Sequence, residues 1–207
     1  MGDMLQGVKN IIFDLGGVIY AIDYQKTIDA FVSLGIDDFE NQYAKAGQSD
    51  VFDALETGKI SKATFVKRIQ KLLTKEVTED QVVSAWNAML LQFMPDALSC
   101  LEGLKDDYRI FLLSNTNEMH IAEIKARVGK EAFDAFSALF ERLYLSHELG
   151  LRKPHAEVFE HILQEKNLKP EETLFIDDSI QHIEGAQSLG LKGHHLKDGE
   201  RISQLLP

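Results

Sequence analysis

The sequence predicts an α/β fold, a parallel sheet covered by helices on both faces and interrupted after its first strand by a helical insertion. Three observations carry this expectation. Four short apolar runs, residues 9–14, 109–114, 142–146 and 173–177, read as buried strands. Segments with helical spacing of apolar residues separate the last three. Between the first run and the second lie residues 24–93, where Phe65, Ile69, Leu72 and Leu73 recur at helical intervals and no convincing strand stands out.

Each element follows in order. KNIIFD (9–14) is apolar and β-branched and runs into Gly16 and Gly17, so a buried strand ends in a tight turn. Residues 24–93 hold about four helices, divided by turn signals such as Thr57-Gly58 and Lys75-Glu76. A helix follows Pro95, a residue suited to a first turn. RIFLLS (109–114) is the second strand, residues 117–140 a helix, and RLYLS (142–146) the third strand. A helix runs from Pro154 to about Asn167. TLFID (173–177) is the fourth strand, and residues 180–189 form a helix closed by Gly190. LKGHHL (191–196) is a final short strand.

The bulk composition narrows the function. The 207 residues are 44% hydrophobic and 27% charged, enough apolar material for a core without staples. Cys100 is the only cysteine, which excludes an intrachain disulfide and reads as a small buried apolar residue in a reducing setting. No apolar run approaches the roughly 20 residues that span a bilayer. The opening MGDMLQGVKN has none of the regions of a secretory leader, so the expectation is a cytoplasmic protein with no membrane partner. The formal net charge of −11 repels nucleic acid. An anionic substrate therefore needs local positive charge from a metal, a lysine or backbone N–H groups.

In an open α/β sheet, ligands sit beyond the carboxyl ends of the strands. Here those ends carry Asp14, Ser114, Ser146 and the pair Asp177-Asp178. Asp14 is either a nucleophile and cation ligand or a plain turn acid. Adjacent Asp177 and Asp178 repel each other unless a divalent cation compensates, or one of them caps the next helix. Ser114, Asn115 and Thr116 stand where hydroxyls, an amide and N–H groups hold phosphate oxygens, or where a helix is simply capped. Lys153, just before Pro154, either neutralises phosphate charge or is solvated. Trp86, Phe52 and Tyr24 read as packing between helices of the insertion. His120 and His147 lie just after strand ends, where they either approach the site or, on the plainer reading, hold surface or capping positions, and His194 and His195 read as pointing to opposite faces of a strand.

These segments resemble those of the haloacid dehalogenase-like (HAD) superfamily of hydrolases. FDLGGV is similar to its nucleophile motif, LLSNT to its second, RKP to its third and FIDDS to its fourth. The resemblance covers essentially the whole chain. It implies a Rossmann-like three-layer core, residues 1–17 and 94–207, with an inserted α-helical cap domain, residues 18–93. YLSHELGLRKPHAEVFEHIL, FIDDSIQHIEGAQSLG and FDALETGKIS look like the bacterial α-D-glucose-1-phosphate phosphatase branch, which places Glu56 toward the substrate. The implied function is Mg²⁺-dependent hydrolysis of a small-molecule phosphate ester, such as a sugar phosphate, through an aspartyl-phosphate. Asp14, Lys153 and Ser114 are then catalytic. Ser114, Asn115, Lys153 and Glu56 bind substrate, and Asp14, the Gly16 carbonyl, Asp178 and Asp177 surround the metal. A monomer or homodimer is expected.

Two positions depart from the family pattern. Most phosphatases of the superfamily carry an acid two residues after the nucleophile, where this chain has Gly16. An easily leaving sugar 1-phosphate, a cap residue, a water or Asp177 are the substitutes to consider. His182 stands where many relatives have an acid or asparagine; imidazole is a poor Mg²⁺ ligand, so the expectation is that it faces solvent or hydrogen-bonds a neighbour. Gly16 also keeps two rival readings open, a dehalogenase using Asp14 and a non-catalytic module that binds a phosphorylated ligand.

Overall fold

A computed structural model describes residues 4–36, 50–73 and 75–206. The chain enters through β1 (Asn10–Phe13) and a short β2 (Tyr20–Ile22). It then runs through α1 (Tyr24–Leu34), α2 (Asp50–Glu56), α3 (Lys62–Gln70) and α4 (Glu79–Asn87), and returns along β3 (Leu90–Phe93). Helices and strands then alternate through α5 (Ala97–Leu104), β4 (Arg109–Ser114), α6 (Glu118–Val128), α7 (Lys130–Ser137), β5 (Arg142–Leu145) and α8 (Ser146–Leu149). The chain closes with α9 (Ala156–Lys166), β6 (Thr173–Asp177), α10 (Ile180–Gln187), β7 (Lys192–His195) and α11 (Ile202–Leu205).

The main sheet has the order β5-β4-β1-β6-β7, and every neighbouring pair is parallel. Successive strand residues point to opposite faces. Ile11, Phe13, Ile110, Leu112, Leu174 and Ile176 accordingly belong to one apolar layer. Ile12, Phe111, Leu113 and Phe175 belong to the other, against Val158, Phe159 and Ile162 of α9 and Ile183 of α10. A sheet buried on both faces demands apolar residues at successive positions, which is why these strands read as unbroken runs. Cys100 is buried in the first layer, and burial pushes its thiol up to about 11, so it acts as an inert apolar residue.

The structure corrects several boundaries. The insertion is not purely helical. Strands β2 and β3 form an antiparallel ribbon, Tyr20 opposite Phe93 and Ile22 opposite Leu90, through which the chain leaves and re-enters the core. Strands of three and four residues are too short to show a period of their own. The helix expected over 117–140 is two, broken at Gly129, whose φ of 87° lies outside the helical region. Pro95 precedes its helix rather than opening it, because Asp96 intervenes with φ 62°. Ser146 opens α8 instead of ending a strand. Of the expected domains, residues 1–3, 37–49, 74 and 207 lie outside the described residues. No helix among the described residues is long and apolar enough to cross a membrane.

Candidate active site

The sheet order puts β1 between β4 and β6, so the chain proceeds to one side of β1 first and to the other later. The crevice above such a switch point is where open α/β sheets bind ligands. Asp14 stands there. Its backbone N–H still donates to Ile176 O (2.9 Å), extending the ladder and fixing the residue against β6. Its Oδ1 accepts the Leu15 N–H (2.7 Å) and lies 2.7 Å from Lys153 Nζ.

Lys153 reaches the same point from the loop between α8 and α9. Asn115, at the end of β4, fastens that loop: its Nδ2 donates to Lys153 O and its Oδ1 accepts the Lys153 N–H, both at 3.0 Å. The lysine side chain is 0% exposed and is held between Asp14 and Asp177, whose Oδ2 is 2.6 Å away. A buried ammonium is tolerated only with such compensation. Burial pulls the Lys153 pKa down, but Asp14 and Asp177 outweigh it and hold the lysine above its ordinary value.

Asp177 is fully enclosed. Its Oδ1 accepts the Ser179 N–H (2.8 Å), and both oxygens lie within 3.0 Å of His182 Nδ1. Burial opposes its ionisation, yet Lys153 and His182 hold its carboxyl well below the usual range. Asp178 turns instead into the open crevice, and its carboxyl is raised, first by burial and then by the charge of Asp177. Asp14 shows the strongest crowding: burial pushes its pKa up to about 7, and Asp177 and Asp178 add to the rise against the pull of Lys153.

Asp178 has its place because of Gly17. That residue has φ +72°, and a Cβ on it would lie 2.0 Å from Asp178 Oδ2. Gly17→Ala is therefore expected to cost about 1–3 kcal/mol in backbone strain and to push Asp178 aside. A lowered Tm in EDTA, together with loss of the Mg²⁺-induced shift described next, checks both effects.

One carboxylate oxygen from each of Asp14, Asp177 and Asp178 can be chosen so that all lie within 4.8 Å of one another. Hard oxygen donors whose mutual repulsion Lys153 relieves only in part fit Mg²⁺. Because both oxygens of Asp177 are engaged by Lys153, His182 and Ser179, Asp14 and Asp178 are the freer pair to hold the ion. Saturation at a hundredfold excess over the dissociation constant adds about 2.7 kcal/mol, so Mg²⁺ is expected to raise Tm by roughly 5–10 °C. Asp178→Asn should remove that shift in a thermal-denaturation titration.

The crevice opens into a cleft of about 610 Å³. Ser114, Asn115 and Thr116 line it beside the carboxylates. Thr116 is fixed by Ser146, whose hydroxyl accepts the Thr116 N–H (2.9 Å) and donates to Thr116 O (3.0 Å). Glu56 lines the cleft from the insertion, and Arg152 pairs with it (3.1 Å) and with Asp53 (2.8 Å). Trp86 and Phe52 pack as expected, stacked at 5.1 Å. Tyr24 does not: it is 53% exposed and lines the cleft. His120 is not a surface residue either. It is buried in the cleft wall, stacked 5.0 Å from Trp86, and burial lowers its pKa to about 4, so it is neutral.

Arg152, His120 and His195 are cleft residues that sequence reasoning missed or placed elsewhere. Arg152 had no local signal, since Asp53 is 99 positions away. His182 bonds a neighbour, one of its two expected roles: it stands five residues after Asp177 at the start of a helix, a spacing that returns its ring to the strand end.

A family model described as haloacid dehalogenase-like hydrolase matches residues 8–190. The chain is 33% identical over 192 residues to a D-ribitol-5-phosphate phosphatase of Bacteroides thetaiotaomicron, covering 93% of each chain. A HAD family enzyme from the same species, solved with magnesium and inorganic phosphate, has a TM-score of 0.84 at 32% identity and covers 97% of this chain and 100% of that one. A HAD-like hydrolase of Porphyromonas gingivalis has a TM-score of 0.82 at 30% identity over 96% of both chains.

Proposed function

The chain belongs to the haloacid dehalogenase-like hydrolases, and from that premise we propose that it dephosphorylates a small sugar or sugar-alcohol phosphate through an aspartyl-phosphate on Asp14. It is a phosphatase and uses Mg²⁺, which sets aside the dehalogenase and the non-catalytic readings. The observation that carries the proposal is the single ion-paired cluster of Asp14, Lys153 and Asp177 at the centre of the sheet, with Asp178 and Ser114 on the same cleft.

The Asp14 carboxylate attacks phosphorus with the oxygen that neither Leu15 nor Lys153 holds. Lys153, kept in place by Asp177 and Asn115, stabilises charge on the phosphoryl oxygens, together with the Ser114 hydroxyl and nearby N–H groups. Asp14, Asp178 and the Gly16 carbonyl would hold the Mg²⁺, whose charge would add to that of Lys153. Water then hydrolyses the aspartyl-phosphate. The division of labour proposed is a core, 1–17 and 94–207, that does the chemistry and a cap, 18–93, that chooses the substrate.

Two observations support a polyhydroxylated substrate. The cleft combines Glu56, Arg152 and His120, which hydrogen-bond hydroxyls, with the apolar surfaces of Trp86 and Tyr24. The relative from Bacteroides is named for a phosphorylated sugar alcohol, while the motifs resemble the glucose-1-phosphate branch. A phosphate-release screen with Mg²⁺ or EDTA tests the choice. D-ribitol 5-phosphate and glucose 1-phosphate are expected among the substrates, with release lost in EDTA. Turnover confined to nucleotides or phosphoproteins would overturn the substrate class.

A further inference from the structure

Breaking the phosphoester bond of an ordinary alcohol requires a proton for the departing oxygen, and a positioned acid is worth roughly 10²–10⁴ in rate. Residue 16 offers none. Ile22 packs beside it, so that a Cβ on Gly16 would stand 3.1 Å from Ile22 Cδ1. The other acids and imidazoles of the cleft each have a partner, a metal-site position or a charge state that makes them poorer proton donors to the substrate. Asp177 is enclosed, with both oxygens bonded. Asp178 lies among the metal donors. His120 is neutral. His182 is tied through Nδ1 to Asp177, and His195 through Nε2 to the Asp178 carbonyl.

Glu56 remains, at the end of α2 on the wall of the cleft formed by the insertion. Its Oε2 is held by Arg152, the neighbour in sequence of the lysine that touches Asp14. The segment is seated on the core, since a Cβ on Gly58 would lie 2.2 Å from His147 O and no side chain fits between. Burial raises the Glu56 carboxyl, with Asp53 adding and Arg152 and Lys153 opposing, so the acid form is favoured relative to a free glutamate.

We propose that Glu56 protonates the leaving oxygen in place of residue 16. The proposal rests on the phosphatase reading above. As the Asp14 carboxylate forms its bond to phosphorus, the phosphorus–oxygen bond to the substrate breaks, and the departing oxygen takes the Glu56 proton to become the alcohol. The Glu56 carboxylate then takes a proton from the water that attacks the aspartyl-phosphate. Asp14 and inorganic phosphate are released, and the acid is restored.

The test is the dependence of kcat/KM, which reports phosphoryl transfer, on the acidity of the leaving group. 4-Nitrophenyl phosphate needs little protonation, phenyl phosphate more, and D-ribitol 5-phosphate most. Glu56→Gln is expected to lower kcat/KM about 100-fold on the last two and less than about threefold on the first. A uniform fall across the series, or none, would overturn the proposal, as would His182→Gln giving the selective loss instead. The wild type provides a check free of folding effects: a steep leaving-group dependence in the unmodified enzyme shows that no acid is acting. Asp14→Asn separates the two readings. If phosphate release survives in it, the nucleophile assignment fails; if Asp14→Asn is dead and Glu56→Gln is unselective, only the acid assignment fails.

Discussion

Lys153→Met is expected to destabilise the protein by about 3–5 kcal/mol and to abolish turnover. The ammonium is fully buried between Asp14 and Asp177, 2.7 and 2.6 Å away. Removing it leaves two carboxylates facing each other in the sheet's crevice, and an unpaired buried charge costs more than the pair contributed. Chemical denaturation checks the first part and phosphate release the second. Adding Asp177→Asn to Lys153→Met removes one of the stranded carboxylates, so the double variant should recover a large part of the lost stability while remaining inactive. Equal instability of the single and double variants would show that lost packing, against Phe175 for example (5.5 Å), outweighs charge.

Asp14→Asn is expected to lower kcat by about 10⁴-fold or more, the scale seen when a covalent nucleophile is removed. Its effect on stability runs the other way. Burial raises the Asp14 pKa from 3.8 to about 7. Between those values the folded protein holds a proton that the unfolded chain has released, so this group's contribution to stability falls as pH rises across that window. Asparagine cannot ionise. In EDTA at about pH 8 the variant should therefore melt above the wild type, and the gap should close toward about pH 4. Saturating Mg²⁺ should shrink the gap at high pH by compensating the charge in the wild type. A variant that melts below the wild type at every pH would show that its lost pairing with Lys153 dominates.

Much of the fold was legible because it is written locally. A buried parallel strand needs several apolar residues in succession, so β1, β4, β5 and β6 stand out at their correct positions. The acids that end β1 and β6 follow directly from those runs. Their convergence follows from the rule that parallel strands share one carboxyl end. The ribbon of β2 and β3 was hidden because its pairing, Tyr20 with Phe93, joins segments with no shared pattern. Tyr24 and His120 were misplaced for a related reason. Whether a side chain is exposed depends on the shape of the cleft, which local spacing does not encode.

The sequence by itself determined the α/β architecture, and its apolar runs placed Asp14, Ser114, Asp177 and Asp178 at strand ends, whereas Lys153 stood out through its place before Pro154 and the resemblance of its RKP segment. Only the tertiary structure decided what each acid does. Asp177 anchors the lysine because burial closes its oxygens to solvent and leaves them to Lys153, Ser179 and His182, whereas Asp178, just past the strand end, turns to the cleft over Gly17. The tertiary structure also brought Glu56 beside Arg152, nearly a hundred residues on. Long-range pairing of charges is set by the energy of burying them together, and that energy is defined only once the chain has folded.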